Sequence, residues 1–183
     1  MLAVAEADVR LARVRNGSPA RLPSSLEMRA LRFEDVPAAL ELIRRSVERG
    51  CRDRYDLAQR AAVFASYAQN LFVEALGPFE TVAALAGGRP IGFAQLDPAS
   101  ARLRALFVDG DSQRRGVGTA LLAEIERLAR RRRLTRLHGA MSLNAVPFYL
   151  RAGFCPCPGP ERLIAACVSV PVLRMEKRLG EPA

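Results

Sequence analysis

Two glycines, Gly116 and Gly118, stand between a pair of arginines and a hydroxyl in Gln113-Arg114-Arg115-Gly116-Val117-Gly118-Thr119. Before them runs the apolar strand pattern Leu106-Phe107-Val108, then the turn Asp109-Gly110-Asp111. After them Val117, Leu121, Ile125 and Leu128 form a helical stripe, widened by Leu122 and Ala129. The first turn of a helix has N–H groups without intrahelical partners and a partial positive charge. A phosphate is a natural ligand for that end. The glycines suit this chemistry because a Cβ would hold a diphosphate away from the backbone. Arg114 and Arg115 add charge, and Thr119 adds a hydroxyl.

The segment is not a P-loop, since no Gly-Lys-Ser/Thr follows four residues after a glycine. It is not the dinucleotide fingerprint either. The third glycine of that pattern would fall at Leu121, and Arg136 stands near the place of its acidic residue. On the residues alone, a loop with two conformational glycines stays open as an alternative.

The spacing and flanks of this segment, Leu106-Phe107-Val108 before it and Thr119-Ala120-Leu121-Leu122 after it, resemble the Gln/Arg-x-x-Gly-x-Gly/Ala motif of the GNAT superfamily of N-acetyltransferases. A second stretch, Asn144-Ala145-Val146-Pro147-Phe148-Tyr149-Leu150-Arg151-Ala152-Gly153-Phe154, is similar to the family's Tyr-x-x-x-Gly-Phe segment. The similarity covers about residues 27 to 177. It implies a mixed, strongly curved α/β sheet of six or seven strands with about four helices, split near its middle. It implies acetyl-CoA as co-substrate, with the diphosphate on the amides of Arg114 to Thr119 and Ala120 beside them. The pantetheine arm would pair with Leu106, Phe107 and Val108, and Val108 N–H would face the oxyanion. Tyr149 aligns with the family tyrosine beside the coenzyme sulfur and becomes the candidate general acid. Asn144 becomes a pantetheine ligand or a helix cap. Cys51 and Tyr55 fall where the family builds its acceptor site, although packing explains them as well. No carboxylate precedes Asp109 on the strand Arg102-Leu103-Arg104-Ala105-Leu106, where many members carry a base. Asp97, Glu80 or a water chain are the substitutes. The acceptor is a primary amine, of a small molecule or a protein, that the sequence does not identify.

Several elements must position these groups. Residues 27–33 read as a strand, and Asp35 as the N-cap of a helix with Pro37 in its first turn. Val36, Leu40, Ile43 and Val47 give it an apolar face. A second helix runs from about Leu57 to Leu76, with Ala61, Phe64, Ala68, Leu71 and Phe72 on one side, and Gly77-Pro78 ends it. Two apolar runs, Thr81 to Ala86 and Pro90 to Leu96, flank Gly87-Gly88 as a hairpin. Leu103 to Val108 and residues 136–141 are further strands, and Asn144 to Ala152 is a short helix closed by Gly153. Near the end Val168, Val170 and Val172 alternate, and Pro171 suggests an edge or bulge.

Length fits one domain, with residues 1–26 as a tail, 27–178 as the N-acetyltransferase domain and 179–183 as a second tail. Ordered patterning begins beside Met28, which reads as an alternative start. The formal charge of +9 attracts anions. It keeps a nucleic-acid-binding protein as a rival reading, as the fold leaves an acyl-CoA-binding module without catalysis. The basic stretches carry no interleaved aromatics, and nucleic acid ranks behind the coenzyme. Arg130 to Arg133 read as a solvated helix end. His138 is the one histidine, which excludes histidine-cluster metal chemistry, and no metal is expected. Cys51, Cys155, Cys157 and Cys167 lack metal-knuckle spacing and read as free thiols of a cytoplasmic protein. No run of apolar residues is long enough to span a membrane. A homodimer is compatible with all of this.

Overall fold

The computed structural model of the protein describes residues 25–75, 77–159, 162–165 and 167–180. The expected tails therefore lie mostly outside the described residues. Strand β1 (Leu26–Ala30) leads to helices α1 (Val36–Gly50) and α2 (Leu57–Ala75) and strands β2 (Glu80–Ala86), β3 (Arg89–Asp97) and β4 (Arg102–Val108). Helix α3 (Val117–Arg131), strand β5 (Arg136–Ser142) and helix α4 (Val146–Arg151) follow. Strands β6 (Cys155–Pro156), β7 (Arg162–Ala165) and β8 (Val168–Arg178) close the fold. The strand order is β1-β2-β3-β4-β5-β8-β6, with β7 paired to β8. Among the described strands only β4 and β5 run parallel. The eight strands exceed the six or seven expected because β6 and β7 span two and four residues, too short to show a period.

Helix α1 buries Val36, Ala39, Leu42, Ile43 and Val47. Asp35 holds the N-cap position but does not cap α1. Its carboxylate accepts from Arg32 N–H at 2.8 Å and from both terminal nitrogens of Arg29 at 2.6 and 2.9 Å. A 3-10 turn over Phe33–Asp35 swings it back onto β1. The Arg29 guanidinium holds this carboxyl below its ordinary range, against the opposing effect of burial. Helix α2 is rotated from the expected face. Ala62, Val63, Phe64 and Tyr67 meet the core while Ala61 is exposed. The rotation lets the Tyr67 hydroxyl donate to the Arg104 carbonyl of β4 at 2.9 Å. The side chains of Leu71 and Phe72 lie outside the described residues.

The sheet separates two cores. Val117, Leu121, Ile125, Leu137 and Phe154 pack under α3 and α4, and Leu42, Ile43, Phe93 and Ala105 pack under α1 and α2. Strand β4 carries a bulge. Gln95 opposes Ala105 and Leu96 opposes Leu103, which leaves Arg104 as the extra residue. Bulges bend their strand. Here the bend precedes the divergence of β4 from β5, which share one register pair, Arg102 with His138. Beyond that pair the sheet splits. His138 anchors the closed end, with its N–H on Ala101 O at 3.1 Å and Nε2 bonded to Ser100 O at 2.8 Å.

Pro171 holds an edge position: it pairs with β7 alone, and its carbonyl accepts from the Tyr55 hydroxyl at 2.8 Å. It sits where β8 passes from β7 to β5, opposite Arg162, while Val172 opposes Ser142. Leu179, assigned to the C-terminal tail, is buried, and its N–H donates to Thr135 O at 2.8 Å. The arginine run is a solvated helix end, with Arg130 to Arg133 all exposed. Arg130 Nε donates to Leu179 O at 3.3 Å and Arg132 Nε to Glu80 at 2.5 Å. No described helix is long and apolar enough to cross a membrane.

Candidate active site

Gly116 is the N-cap of α3 with φ 81°, a left-handed conformation that side chains resist, and it has no side chain with which to cap. The first helical bond runs from Ala120 N–H to Gly116 O at 3.0 Å. The N–H groups of Val117, Gly118 and Thr119 precede it and lack helical partners. The Ala120 amide is already committed, and this residue leaves the expected set of coenzyme ligands. The Val117 side chain is buried in the core beneath. Arg114, Arg115 and Thr119 are exposed, and among the described residues neither arginine has an ion-pair partner. The two glycines differ. At Gly118 a Cβ would meet Phe148 and Val108 at 3.6 Å, an ordinary contact.

The loop into this turn presents an open strand edge. Asp109 N–H donates to Ile91 O at 2.9 Å. Bonded and non-bonded pairs alternate along an antiparallel ladder. Gly92 opposes Val108, Phe93 opposes Phe107 and Ala94 opposes Leu106. Phe107 therefore bonds β3, while Leu106 and Val108 aim their peptide groups into the split. Gln113 Nε2 donates to Val108 O at 3.2 Å, so this side chain braces the loop and Val108 N–H remains facing the gap. Helix α1 clamps the same loop: Arg45 Nη2 donates to Asp109 at 2.6 Å, and Arg49 pairs with Asp111.

A cavity of about 330 Å³ occupies the split and is lined from both cores, by Leu103, Met141 and Tyr149 and by Val47, Cys51, Tyr55 and Val170. All three tyrosines of the chain line it. Tyr149, on α4, is 5% exposed and stacks edge-on with Phe148 and Phe154 at 5.0 and 5.3 Å. Among the described residues nothing bonds its hydroxyl. Burial, reinforced by the nearby Tyr67, pushes this phenol well above its ordinary range.

An uncapped helix start, an open strand edge and a phenol thus meet at one split. The acetyltransferase (GNAT) domain family matches residues 53–179. The chain belongs to the GNAT acetyltransferase family. Its fold matches that of a GCN5-related N-acetyltransferase from Rhodopseudomonas palustris, with 26% identity, TM-score 0.78, and coverage of 86% of this chain and 98% of that one. The PaiA N-acetyltransferase of Thermoplasma acidophilum, solved in complex with coenzyme A, is 20% identical with TM-score 0.72, covering 84% of this chain and 99% of that one. The ribosomal-protein-S18-alanine N-acetyltransferase of Escherichia coli is 17% identical with TM-score 0.63, covering 87% and 97%. No curated protein matches the sequence.

Other residues of this GNAT site settle differently from their sequence reading. Asn144 does not cap α4. Ala145 holds that position without a side-chain bond, and Asn144 Oδ1 instead accepts from Cys51 Sγ at 3.4 Å. A Cβ on Gly50 would lie 3.6 Å from both Asn144 Nδ2 and Gln113 Nε2, so three expected site residues converge at the lip. Burial pushes the Cys51 thiol to about 11. Tyr55 is a structural post. Its hydroxyl donates to Pro171 O and accepts from Leu143 N–H, both at 2.8 Å.

Both carboxylates suggested as bases are engaged elsewhere. Asp97 holds the β3–β4 turn, accepting from Ser100 Oγ at 2.6 Å and Ala99 N–H at 3.0 Å, and the Ser100 bond lowers its pKa. Glu80 pairs with Arg132 beyond the far end of α3. Among the described residues no Asp, Glu or His lines the cavity, and no group of three could hold a metal ion. Sequence reasoning missed Tyr67, Arg102 and the β7 residues Leu163 and Ile164 as cavity walls. A lone tyrosine on an amphipathic helix carries no motif, and β7 carries no period.

Proposed function

We propose that the protein transfers an acetyl group from acetyl-CoA to a primary amine. The observation that carries this reading is the junction of three things at one split: uncapped α3 amides, the outward-facing peptide groups of Leu106 and Val108, and the Tyr149 hydroxyl, which has no partner among the described residues. Acetyl-CoA supplies a thioester carbonyl open to attack by nitrogen. The amides of Val117, Gly118 and Thr119, with Arg114 and Arg115 beside them, hold the diphosphate. Leu106 and Val108 pair with the pantetheine arm, and Asn144 borders it. Val108 N–H meets the charge that develops on the carbonyl oxygen. As the C–N bond forms and the C–S bond breaks, Tyr149 gives its proton to the sulfur and regains one from solvent. Its raised pKa keeps that proton in place at physiological pH. With no carboxylate lining the cavity among the described residues, the surplus proton on nitrogen leaves to water. Four free thiols support a cytoplasmic setting.

Calorimetric titration of coenzyme A into the folded protein tests this reading, together with thioester consumption against an amine panel. Saturable heat and acceptor-dependent thiol release are expected. An absence of heat overturns the reading.

A further inference from the structure

The cavity walls carry a chemical selection. Val47, Val63, Phe107 and Val170 give an apolar lining beside three tyrosine rings. Among the described residues no carboxylate faces it. A second ammonium group on an acceptor would enter without a counter-charge, and burying an unpaired charge is costly. The protein's formal charge of +9 opposes polycations further. The volume of about 330 Å³ suits one small molecule.

Two arginines reach this cavity and are held differently. Arg104 Nε donates to Gln95 at 3.2 Å, and its guanidinium lies 4.2 Å over the Phe79 ring. Arg102 is half-buried at the closed end of the split, and its side chain has neither ion pair nor hydrogen bond among the described residues. A guanidinium presents a planar fork that matches a carboxylate. We propose that the acceptor is a monoamine with an apolar or aromatic body and a carboxylate, an amino-acid-like molecule whose carboxylate Arg102 binds. This rests on the transferase reading above.

The test compares phenylalanine, phenethylamine and spermidine as acceptors, following thiol release from acetyl-CoA. Phenylalanine should show the lowest KM, with phenethylamine roughly tenfold higher for want of one charged hydrogen-bonded pair. Spermidine should give no acceptor-dependent release. Arg102→Gln should raise KM for phenylalanine far more than for phenethylamine, and Arg102→Lys should keep part of the preference. Comparable turnover of spermidine, equal KM values for the two aromatic amines, or an equal rise for both in Arg102→Gln overturns the proposal. Silence with all three acceptors also overturns it. Heat on titrating acetyl-CoA into the same material then shows that the transferase reading survives.

Discussion

From Leu106 to Thr119 the groups that face the split are mostly peptide N–H and C=O, presented by an open strand edge and a helix start. Across the gap the wall consists of side chains brought from α1, α2, β5, α4, β7 and β8. The first surface depends on conformation and tolerates many side chains. The second depends on side-chain identity and is assembled from residues as far apart as Val47 and Val172. Substitutions on the two walls should therefore fail in different ways: in turnover on the side-chain wall, in coenzyme affinity on the backbone wall.

Tyr149→Phe gives the largest expected effect. Losing a general acid lowers kcat by roughly 10²-fold. The fold should not suffer, because the hydroxyl has no partner among the described residues whose loss would leave a group unsatisfied. The melting temperature should stay level or rise slightly. Coenzyme affinity, a property of the opposite wall, should hardly move. An unchanged kcat, with chemistry shown to limit the rate, removes Tyr149 from the reaction and breaks the division between the walls.

Gly116→Val comes next and strikes the backbone wall. At φ 81° a β-branched residue costs roughly 1–2 kcal/mol or more in the left-handed region. The turn relaxes away from that conformation, and coenzyme A should bind roughly tenfold or more weakly by calorimetry. The rate at saturating coenzyme should fall much less than in Tyr149→Phe. Wild-type affinity would mean that the α3 start does not hold the diphosphate.

The same division explains what the sequence disclosed. The backbone wall was legible because its requirements are local: a left-handed residue at Gly116, an apolar strand before it and an amphipathic helix after it all lie within about twenty residues. The hairpin at Gly87-Gly88 and the face of α1 were legible for the same reason. The acceptor wall was not, because nothing local marks it. Tyr67 enters the site only through the rotation of α2 that brings its hydroxyl to Arg104 O. Asp97 and Glu80 looked available as bases until the fold showed them engaged with Ser100 and Arg132. Asn144 resembled a cap, yet the chain makes its turn at Ala145 and leaves the amide on Cys51. Strands β6 and β7 were invisible because pairing with β8, rather than their own pattern, defines them.

Gly118→Ala has the smallest expected effect and sharpens the comparison most. Helical alanine is favoured over glycine by roughly 0.5–1 kcal/mol. The added methyl would touch Phe148 and Val108 at 3.6 Å, where the protein has room for it. The melting temperature should therefore rise by a few degrees. If the diphosphate rests on the amides alone, coenzyme affinity should change by less than about threefold, a cost below the ~1.4 kcal/mol of a tenfold change. A tenfold loss with a raised melting temperature would place the ligand within reach of that methyl group. Gly118 would then be required by the approach of the coenzyme, and Gly116 by the backbone, so that two glycines of one turn would serve separate physical ends.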